Sequence, residues 1–364
     1  MLKQYNIGVQ RQCSIGKIIM KMKTILKFVA ITLALFGVGN VHAQDIHFSQ
    51  IFETPLLRNP ALSGLFKGDL RIQTVYRSQW NAITNAYQTG SANIEYKIPR
   101  GENGDYVTLG SQILYDKSGT ATLTSTHFLP AINYHKSLNA DKSTYLSLGM
   151  MGGLVQRRID RSKITTNSQF NGAAYDPNLS NGENFSKTGY SYFDATVGMS
   201  FSTQIGEDEN NNMYIGTAYH HFNKPSNLGF YTNSNVEMVP KWTMSAGVRM
   251  ATTDDAFVTF EGDYSSQGVN KEIIAGVLYS KKLGDLEDPK YVIHAGSYFR
   301  LADAVIPVIK LETKPLAFAM SYDMNISGLK RVSKGRGGFE FSITYQKFLD
   351  KFNSSINATK CPKF

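Results

Sequence analysis

Towards its carboxyl terminus the chain reads Phe339-Glu340-Phe341-Ser342-Ile343-Thr344-Tyr345-Gln346, with apolar and polar residues in strict alternation. Successive side chains of a β-strand point to opposite faces, so this segment has one apolar face and one polar face. Residues 193–201 and 316–325 repeat the pattern, with small and polar residues on the second face. Alternation of this kind predicts strands that separate an apolar phase from a polar one.

The same alternation predicts fourteen strands separated by turn residues. They span 69–80, 86–98, 106–116, 121–138, 143–160, 189–205, 211–222, 239–251, 256–266, 270–282, 291–302, 304–313, 315–326 and 336–349. The strand at 304–313 is the weakest, because Pro307 cannot donate a hydrogen bond to its neighbour. We expect the last strand to pair with the first, because an open edge in hydrocarbon leaves backbone groups without partners. Its apolar face then points to lipid.

Size distinguishes the two kinds of barrel that alternating strands can form. A small soluble barrel fills its interior with side chains at about eight strands. Fourteen strands are too many for such a filled interior, and one face of them carries small and polar residues: Gly110, Gly149, Gly198, Ser200 and Ser321. These features suit a barrel with a wide polar lumen and a lipid-facing exterior. The predicted fold class is therefore all-β, a transmembrane outer-membrane β-barrel of about fourteen antiparallel strands. The alternative is a soluble two-sheet sandwich.

The amino-terminal region has the order of an export signal. Residues 1–43 contain six Lys or Arg and no acidic residue, and an apolar run, 28–38, precedes Val41-His42-Ala43. This order predicts a signal peptide cleaved after Ala43, with an upstream extension before it. Without these residues 32 basic and 29 acidic side chains remain, so the formal charge of +9 does not indicate a nucleic-acid partner.

The mature chain is expected to have three parts. Residues 44–68 are apolar without alternation and contain Pro55 and Pro60, which oppose a central strand. We expect them to form a plug inside the barrel or a periplasmic segment beneath it. Residues 69–349 form the barrel itself, and residues 350–364 form a periplasmic tail.

The mature chain contains no pattern that indicates a cofactor, a metal site or an active site. The adjacent His220 and His221 are expected on opposite faces of a strand, which does not suit a metal. Ser125 and His127 share an apolar face, as a lipase acting on the lipid side would need. Side chains two apart on a strand lie about 7 Å from each other, too far for a direct hydrogen bond between a nucleophile and its base unless their rotamers converge. We therefore predict that the protein is not an enzyme.

The two longest connections, 161–188 and 223–238, follow the fifth and seventh predicted strands. With both chain ends in the periplasm, connections after odd strands face the cell exterior, where outer-membrane barrels carry long loops. The first of these loops mixes basic and aromatic residues, a composition suited to a protein interface. Its predicted partner-binding residues are Arg161, Lys163, Phe170, Tyr175 and Phe185.

Motifs at both ends of the mature chain resemble those of the PorP/SprF family of outer-membrane proteins. The start resembles the family in Gln44-Asp45-Ile46-His47-Phe48-Ser49-Gln50, Asn59-Pro60-Ala61-Leu62-Ser63-Gly64 and Tyr76-Arg77-Ser78-Gln79-Trp80. The far end resembles it in Tyr322-Asp323-Met324-Asn325-Ile326-Ser327, Arg336-Gly337-Gly338-Phe339-Glu340 and Cys361-Pro362-Lys363-Phe364. Residues 100–310 are assigned by pattern alone.

The resemblance implies an accessory protein of the type IX secretion system of Gram-negative bacteria. This protein would lie in the cell outer membrane and cross it many times. Members are similar to the FadL-type fourteen-stranded barrel and are not enzymes. Some support export, anchoring or surface retention of an adhesin with a type B C-terminal domain, in gliding or adhesion. The implied partners are such an adhesin, other type IX secretion components and outer-membrane lipid. The alternative is a FadL-like channel for small apolar solutes, since Asn59-Pro60-Ala61 resembles the hatch motif of that transporter group.

Overall fold

The computed structural model describes residues 45–79, 87–100, 104–119, 121–139, 141–183, 185–208, 210–231, 236–286, 289–328 and 333–349. The predicted signal peptide and the tail 350–364 lie outside these residues. Within them the chain forms fourteen strands in one closed antiparallel barrel, which confirms the predicted fold class. No helix in the described ranges is both long and apolar enough to cross a bilayer.

Each strand pairs with the strands before and after it along the chain. The strands are β1 (Leu70–Gln79), β2 (Tyr87–Arg100), β3 (Asp105–Ser118), β4 (Leu123–Asn139), β5 (Thr144–Arg158), β6 (Gly189–Gln204), β7 (Asn212–His220), β8 (Lys241–Thr253), β9 (Ala256–Gln267), β10 (Asn270–Leu283), β11 (Tyr291–Arg300), β12 (Ala304–Thr313), β13 (Leu316–Asn325) and β14 (Arg336–Lys347). All fourteen lie where alternation predicts them, with ends that shift by a few residues.

β1 and β14 close the barrel in a register that runs from Leu70 opposite Lys347 to Gln79 opposite Gly338. We call the end of the barrel that holds Leu70 and Lys347 the terminal end, and the opposite end the loop end. Long connections, 159–188 and 221–240, both lie at the loop end because they follow odd strands. On β14 Phe339 points outward while Glu340 is fully buried inside, as the alternation predicts.

The outer surface carries an apolar band of the height that a membrane requires. On β4 the outward residues between Thr126 and Lys136 are Phe128, Pro130, Ile132 and Tyr134, all exposed. Ten residues of strand span about 34 Å, which a tilt of about 45° reduces to about 24 Å along the barrel axis. This height matches the ~25 Å apolar band of outer-membrane barrels.

Residues 45–66, which we call the plug, lie inside the barrel. They form short helical turns at Ile51–Glu53 and Pro60–Leu62 and one turn of α-helix, α1 (Pro55–Arg58). Apolar side chains of the plug pack on inward-facing wall residues: Leu56, for example, contacts Leu129 and Met151. Its apolar residues do not alternate because they contact the wall on several sides.

The inward face of β4 differs from the lipid-side arrangement considered for a lipase. Ser125 and His127 are buried and point into the barrel, as does Leu129, whereas Phe128 points outward and is 55% exposed. Leu129 gives the inner face an apolar character because it packs against Leu56 of the plug. The placement of this pair on the lipid side is therefore wrong.

Candidate functional site: the plugged lumen and the loop end

Three wall glycines form a seat for the plug at Asn59. A Cβ atom on Gly149 would lie 2.5 Å from the backbone of the Pro60–Ala61 peptide, and one on Gly198 would lie 1.9 Å from Asn59 Oδ1. A Cβ atom on Gly216 would lie 2.8 Å from Asn59 Nδ2. These glycines occupy β5, β6 and β7, so the absence of side chains on three successive strands is what admits the turn.

Hydrogen bonds fix the same turn. Asn59 Nδ2 donates to the carbonyl oxygens of Met199 and Thr217 at 3.1 Å each, and its Oδ1 accepts from the amide of Ala61 at 2.8 Å. Asn133 Nδ2 donates to Ala61 O at 2.9 Å, from the opposite direction along the sheet. The Asn59-Pro60-Ala61 turn is thus joined to the wall from both sides.

Two wall glutamates accept hydrogen bonds from plug amides. Glu340 accepts from Ser49 N at 2.6 Å and from Gln50 N at 2.8 Å. Glu95 accepts from Gly64 N at 2.7 Å. A carboxylate that accepts from backbone amides makes charge-assisted hydrogen bonds, which are roughly twice as strong as neutral ones. The start of the plug is therefore anchored to β14, and its end is anchored to β2.

Ion pairs connect the plug to the remaining wall. Arg58 of α1 binds both carboxylate oxygens of Asp263 at 2.6 and 2.7 Å, and both side chains are over nine-tenths buried. Glu53 pairs with Lys310 at 2.9 Å and accepts a hydrogen bond from Gln73. Because these partners lie on β9, β12 and β1, the attachment extends around the barrel.

At the loop end the first described plug residue completes a charged cluster. Asp45 Oδ2 lies 2.6 Å from Lys241 Nζ and 3.3 Å from His221 Nε2, and His221 Nδ1 lies 2.8 Å from Asp194. Burial alone would lower the pKa of His221, but its hydrogen bonds to Asp194 and Asp45 raise it to about 9. Burial would raise the pKa of Asp45, but Lys241 and His221 hold it well below its usual range.

The paired histidines do not lie on opposite faces, which corrects the expectation from alternation. β7 ends at His220, and His221 takes a left-handed backbone conformation with φ of 57°. Both rings are therefore buried inside, and His220 Nε2 lies 3.2 Å from the carbonyl oxygen of Arg58. The two rings bind different partners, and among the described residues no group of three or more His, Cys, Asp or Glu could hold a metal ion.

The serine and histidine of β4 are closer than strand spacing predicts. Ser125 Oγ lies 2.8 Å from His127 Nε2, because the two side chains turn towards each other. The two rotamers converge, which is the one condition under which this spacing allows a direct hydrogen bond. Both side chains are buried in the barrel interior, so the pair has no access to lipid.

The loop residues predicted to bind a partner form two separate contacts. Phe170 and Tyr175 form an antiparallel bridge and are 56% and 52% exposed. The guanidinium of Arg161 lies 5.8 Å from the ring of Phe185. Lys163 is exposed and pairs with its loop neighbour Asp160 at 3.3 Å. The structure thus joins four of the five residues in two separate pairs, and the fifth, Lys163, pairs with Asp160 instead.

Residues of the second long loop, absent from the prediction, complete the Phe185 contact. The ring of Phe185 packs against Phe230 with centroids 6.1 Å apart and against Tyr231 at 5.2 Å. Lys187 N donates to Phe230 O at 3.0 Å, which joins the two loops through their backbones. The loop end therefore presents a surface built from both long connections.

The fold and these sites define the class of the protein. A closed barrel with an apolar outer band and a polar interior occupied by its own amino-terminal segment is an outer-membrane β-barrel protein. Residues 40–345 match the family of type IX secretion system membrane proteins PorP/SprF, so the chain belongs to this family. Its role accordingly lies in type IX secretion, with other components of that system as partners. The family is one of secretion-system membrane proteins and not of enzymes.

Solved structures resemble the chain only distantly. The toluene transporter TbuX of Ralstonia pickettii has 11% identity and a TM-score of 0.48, with 82% of this chain and 94% of that chain covered. A Pseudomonas aeruginosa FadL homologue has 9% identity and a TM-score of 0.45, with 81% and 94% covered. No curated protein matches the sequence. The strand pairing by itself defines the closed barrel.

Proposed function

We propose that the protein anchors a secreted surface adhesin with a type B C-terminal domain at the outer face of the outer membrane of a Gram-negative bacterium. In this proposal the loop end faces the cell exterior, and the predicted tail 350–364 lies in the periplasm. The adhesin would serve adhesion or gliding. Membership of a type IX secretion family supports the proposal, since that system delivers proteins to the surface.

The observation that carries the proposal is the contrast between the lumen and the loop end. The plug occupies the lumen and is held by the buried Arg58–Asp263 pair and by Glu340 and Glu95. The loop end presents exposed aromatic side chains, including Phe170. Aromatic residues are enriched in the centres of protein interfaces.

A channel for small apolar solutes has less support. Such a solute needs an apolar route, whereas the wall residues nearest the plug include the charged Asp323, Arg77 and Arg300. Moving the plug out of the way would break several buried ion pairs, including Arg58–Asp263 and Glu53–Lys310. Binding at the loop end requires no such opening.

The proposed partner-binding residues are Arg161, Lys163, Phe170, Tyr175 and Phe185. Phe170 and Tyr175 are the most suitable to test, because both are exposed and their replacement leaves the buried structure intact. A double variant Phe170→Ser/Tyr175→Ser should therefore remain in the outer membrane while losing adhesin. A deletion of residues 165–184 should also leave the barrel in the outer membrane, and it should lower the amount of bound adhesin further than the double variant does.

The experiment is an affinity pull-down of the detergent-extracted protein from its own cells, followed by mass spectrometry. Recovery of a large protein that ends in a type B C-terminal domain supports anchoring, provided the double variant recovers less of it. The matched control is Val269→Ser, since Val269 is 56% exposed in the short turn between β9 and β10 at the same end. Equal adhesin recovery with the wild type and the double variant would show that Phe170 and Tyr175 do not bind the adhesin. A bound fatty acid without adhesin would favour the channel.

A further inference from the structure

The outward residues of β3, β4, β5 and β6 form ordered rows near the loop end. Pairing across these strands places one row in the apolar band, with side chains between 50% and 62% exposed: Ile113, Phe128, Leu154 and Phe193. The next row towards the loop end is Tyr115, Thr126, Gln156 and Ser191. The last row is Lys117, Thr124, Arg158 and Gly189. The surface thus changes from apolar to polar to basic in two steps.

This sequence of rows locates the boundary of the bilayer on one side of the barrel. On each of these strands the large apolar side chains end before the polar row, and the basic row lies beyond it, towards the lipid head groups; with strands tilted by about 45°, the row shifts by about 3 Å along the barrel axis from one strand to the next. Outer-membrane barrels carry their long loops on the outer side, so the boundary belongs to the outer leaflet. Phosphate groups of the lipid lie at this depth, where a basic side chain keeps its charge out of hydrocarbon.

Lys117 and Arg158 are spaced to bind one phosphate together. They lie in the same row on strands that flank β4, so their backbones are about 10 Å apart at ~4.8 Å per strand. Both side chains are long enough to converge over Thr124, which lies between them in the row and whose hydroxyl donates to Arg158 O at 3.5 Å. Arg binds phosphate through paired N–H donors, and Lys adds a point charge.

A polar cavity lies directly beside Arg158. Its volume is about 380 Å³, and it is lined by Gln156, Arg158, Thr188, Gly189, Tyr190 and Ser191. These side chains supply hydroxyl and amide groups that donate hydrogen bonds. The nearest acidic residue along the chain, Asp160, is already bound to Ser162 and Lys163.

The β7–β10 side of the loop end lacks this arrangement. There the corresponding outward row across β7 to β10 reads Tyr219, Trp242, Ser266 and Lys271. The Tyr219 and Trp242 rings lie 4.5 Å apart, an aromatic contact of the kind found at membrane interfaces. This row holds one basic residue, Lys271, and no second basic residue two strands away from it. The pair of cations two strands apart therefore distinguishes the β3–β6 side from the β7–β10 side.

We infer that Lys117, Thr124 and Arg158, with the cavity beside Arg158, bind the phosphate group of an outer-leaflet lipid. The apolar row beneath them receives the acyl chains of the same lipid. This inference rests on the barrel and its register and is independent of the adhesin proposal.

The test is native mass spectrometry of the purified full chain in detergent, with diphosphoryl lipid A as the probe. We expect the wild type to bind one lipid A with higher affinity than further copies, and Lys117→Ser/Arg158→Ser to lower that affinity at least about tenfold, which corresponds to about 1.4 kcal/mol. Arg158→Lys should retain part of the binding because it keeps the charge. The matched control, Lys271→Ser, removes an exposed outward cation at the same end and should bind as the wild type does.

Four outcomes would overturn the inference. The first is equal affinity of the double variant and the wild type, and the second is an equal loss with Lys271→Ser. The third is equal binding of lipid A from which both phosphates have been removed. Millimolar inorganic phosphate separates the two sources of the group: if it displaces lipid A completely, the site takes phosphate from solution and the lipid assignment is wrong. Unchanged heat-modifiable mobility on gels shows that each variant barrel is folded.

Discussion

Replacing Gly198 with alanine should loosen the plug at its tightest seat. The new Cβ atom would lie 1.9 Å from Asn59 Oδ1 and force that side chain to move. Movement breaks three hydrogen bonds, to the carbonyl oxygens of Met199 and Thr217 and from the amide of Ala61. Because each contributes about 1 kcal/mol, the docked plug should lose about 3 kcal/mol, or about 100-fold in its opening equilibrium.

Hydrogen–deuterium exchange of the full chain in detergent micelles measures this opening. Amides in residues 55–66 should exchange up to about 100-fold faster in Gly198→Ala than in the wild type, provided that they exchange through local opening. Amides in β2 and β3 should keep their rates, since the barrel wall does not depend on the turn.

The matched control is Gly90→Ala on β2. No heavy atom other than its chain neighbours lies within 4 Å of the Cβ position of Gly90, so the added methyl group meets open space. Plug exchange in this variant should equal that of the wild type. If Gly198→Ala leaves plug exchange within about twofold of the wild type, the loss is below about 0.5 kcal/mol and the seat does not hold the plug. If Gly90→Ala accelerates plug amide exchange equally, the cause is a general change in the sheet and not the contact with Asn59.

Three further changes test other parts of the structure through the free energy of unfolding in urea, followed by heat-modifiable mobility. Ile309→Lys, at a lipid-facing position that is 66% exposed, should cost about 2–4 kcal/mol, whereas Leu301→Lys in a loop-end turn should cost about 0–1 kcal/mol; equal costs would contradict the assigned apolar band. Arg58→Met should cost about 3–5 kcal/mol because it leaves Asp263 buried and unpaired, and Asp263→Leu in the same chain should restore most of that loss. The pKa of His221, raised from 6.5 to about 9, gives stability that is fully present below pH 6.5 and is lost as the pH rises through about 9, about 3 kcal/mol in all; His221→Gln should abolish this dependence, and a variant that keeps it would assign it to another group.

Alternation predicts the barrel because each wall residue experiences one of two environments. Phe339 and its outward neighbours meet lipid, and Glu340 meets the plug, so a period of two fixes both strand identity and register. The same rule fails on β4, where Leu129 points inward and is apolar because Leu56 packs on it. A filled lumen makes both faces of a strand partly apolar, so alternation in the sequence no longer shows which face points inward.

Contacts between loops are harder to predict than strands. Phe185 meets Phe230 and Tyr231 of the other long loop, and no periodicity connects two irregular segments so far apart in the chain. His221 also left the predicted pattern, because a left-handed residue at the end of β7 turns its side chain inward. Such departures depend on the closure of the barrel, which brings β6, β7 and the plug together.

The wall binds much of the plug through the backbone of the plug. Glu340 accepts hydrogen bonds from two consecutive plug amides, and Glu95 accepts one from the amide of Gly64. Asn133 donates to two plug carbonyl groups. Backbone groups are the same for every residue, so these contacts specify the path of the plug and leave most of its side chains free to satisfy packing. The specificity of docking is therefore shared between plug side chains such as Arg58 and Asn59 and the wall, where a carboxylate or an amide looks like any other polar residue of an alternating strand. Glu340→Gln should therefore speed the hydrogen–deuterium exchange of the Ser49 and Gln50 amides, because it removes the charge that both amides bind, whereas Gly90→Ala should leave their exchange unchanged.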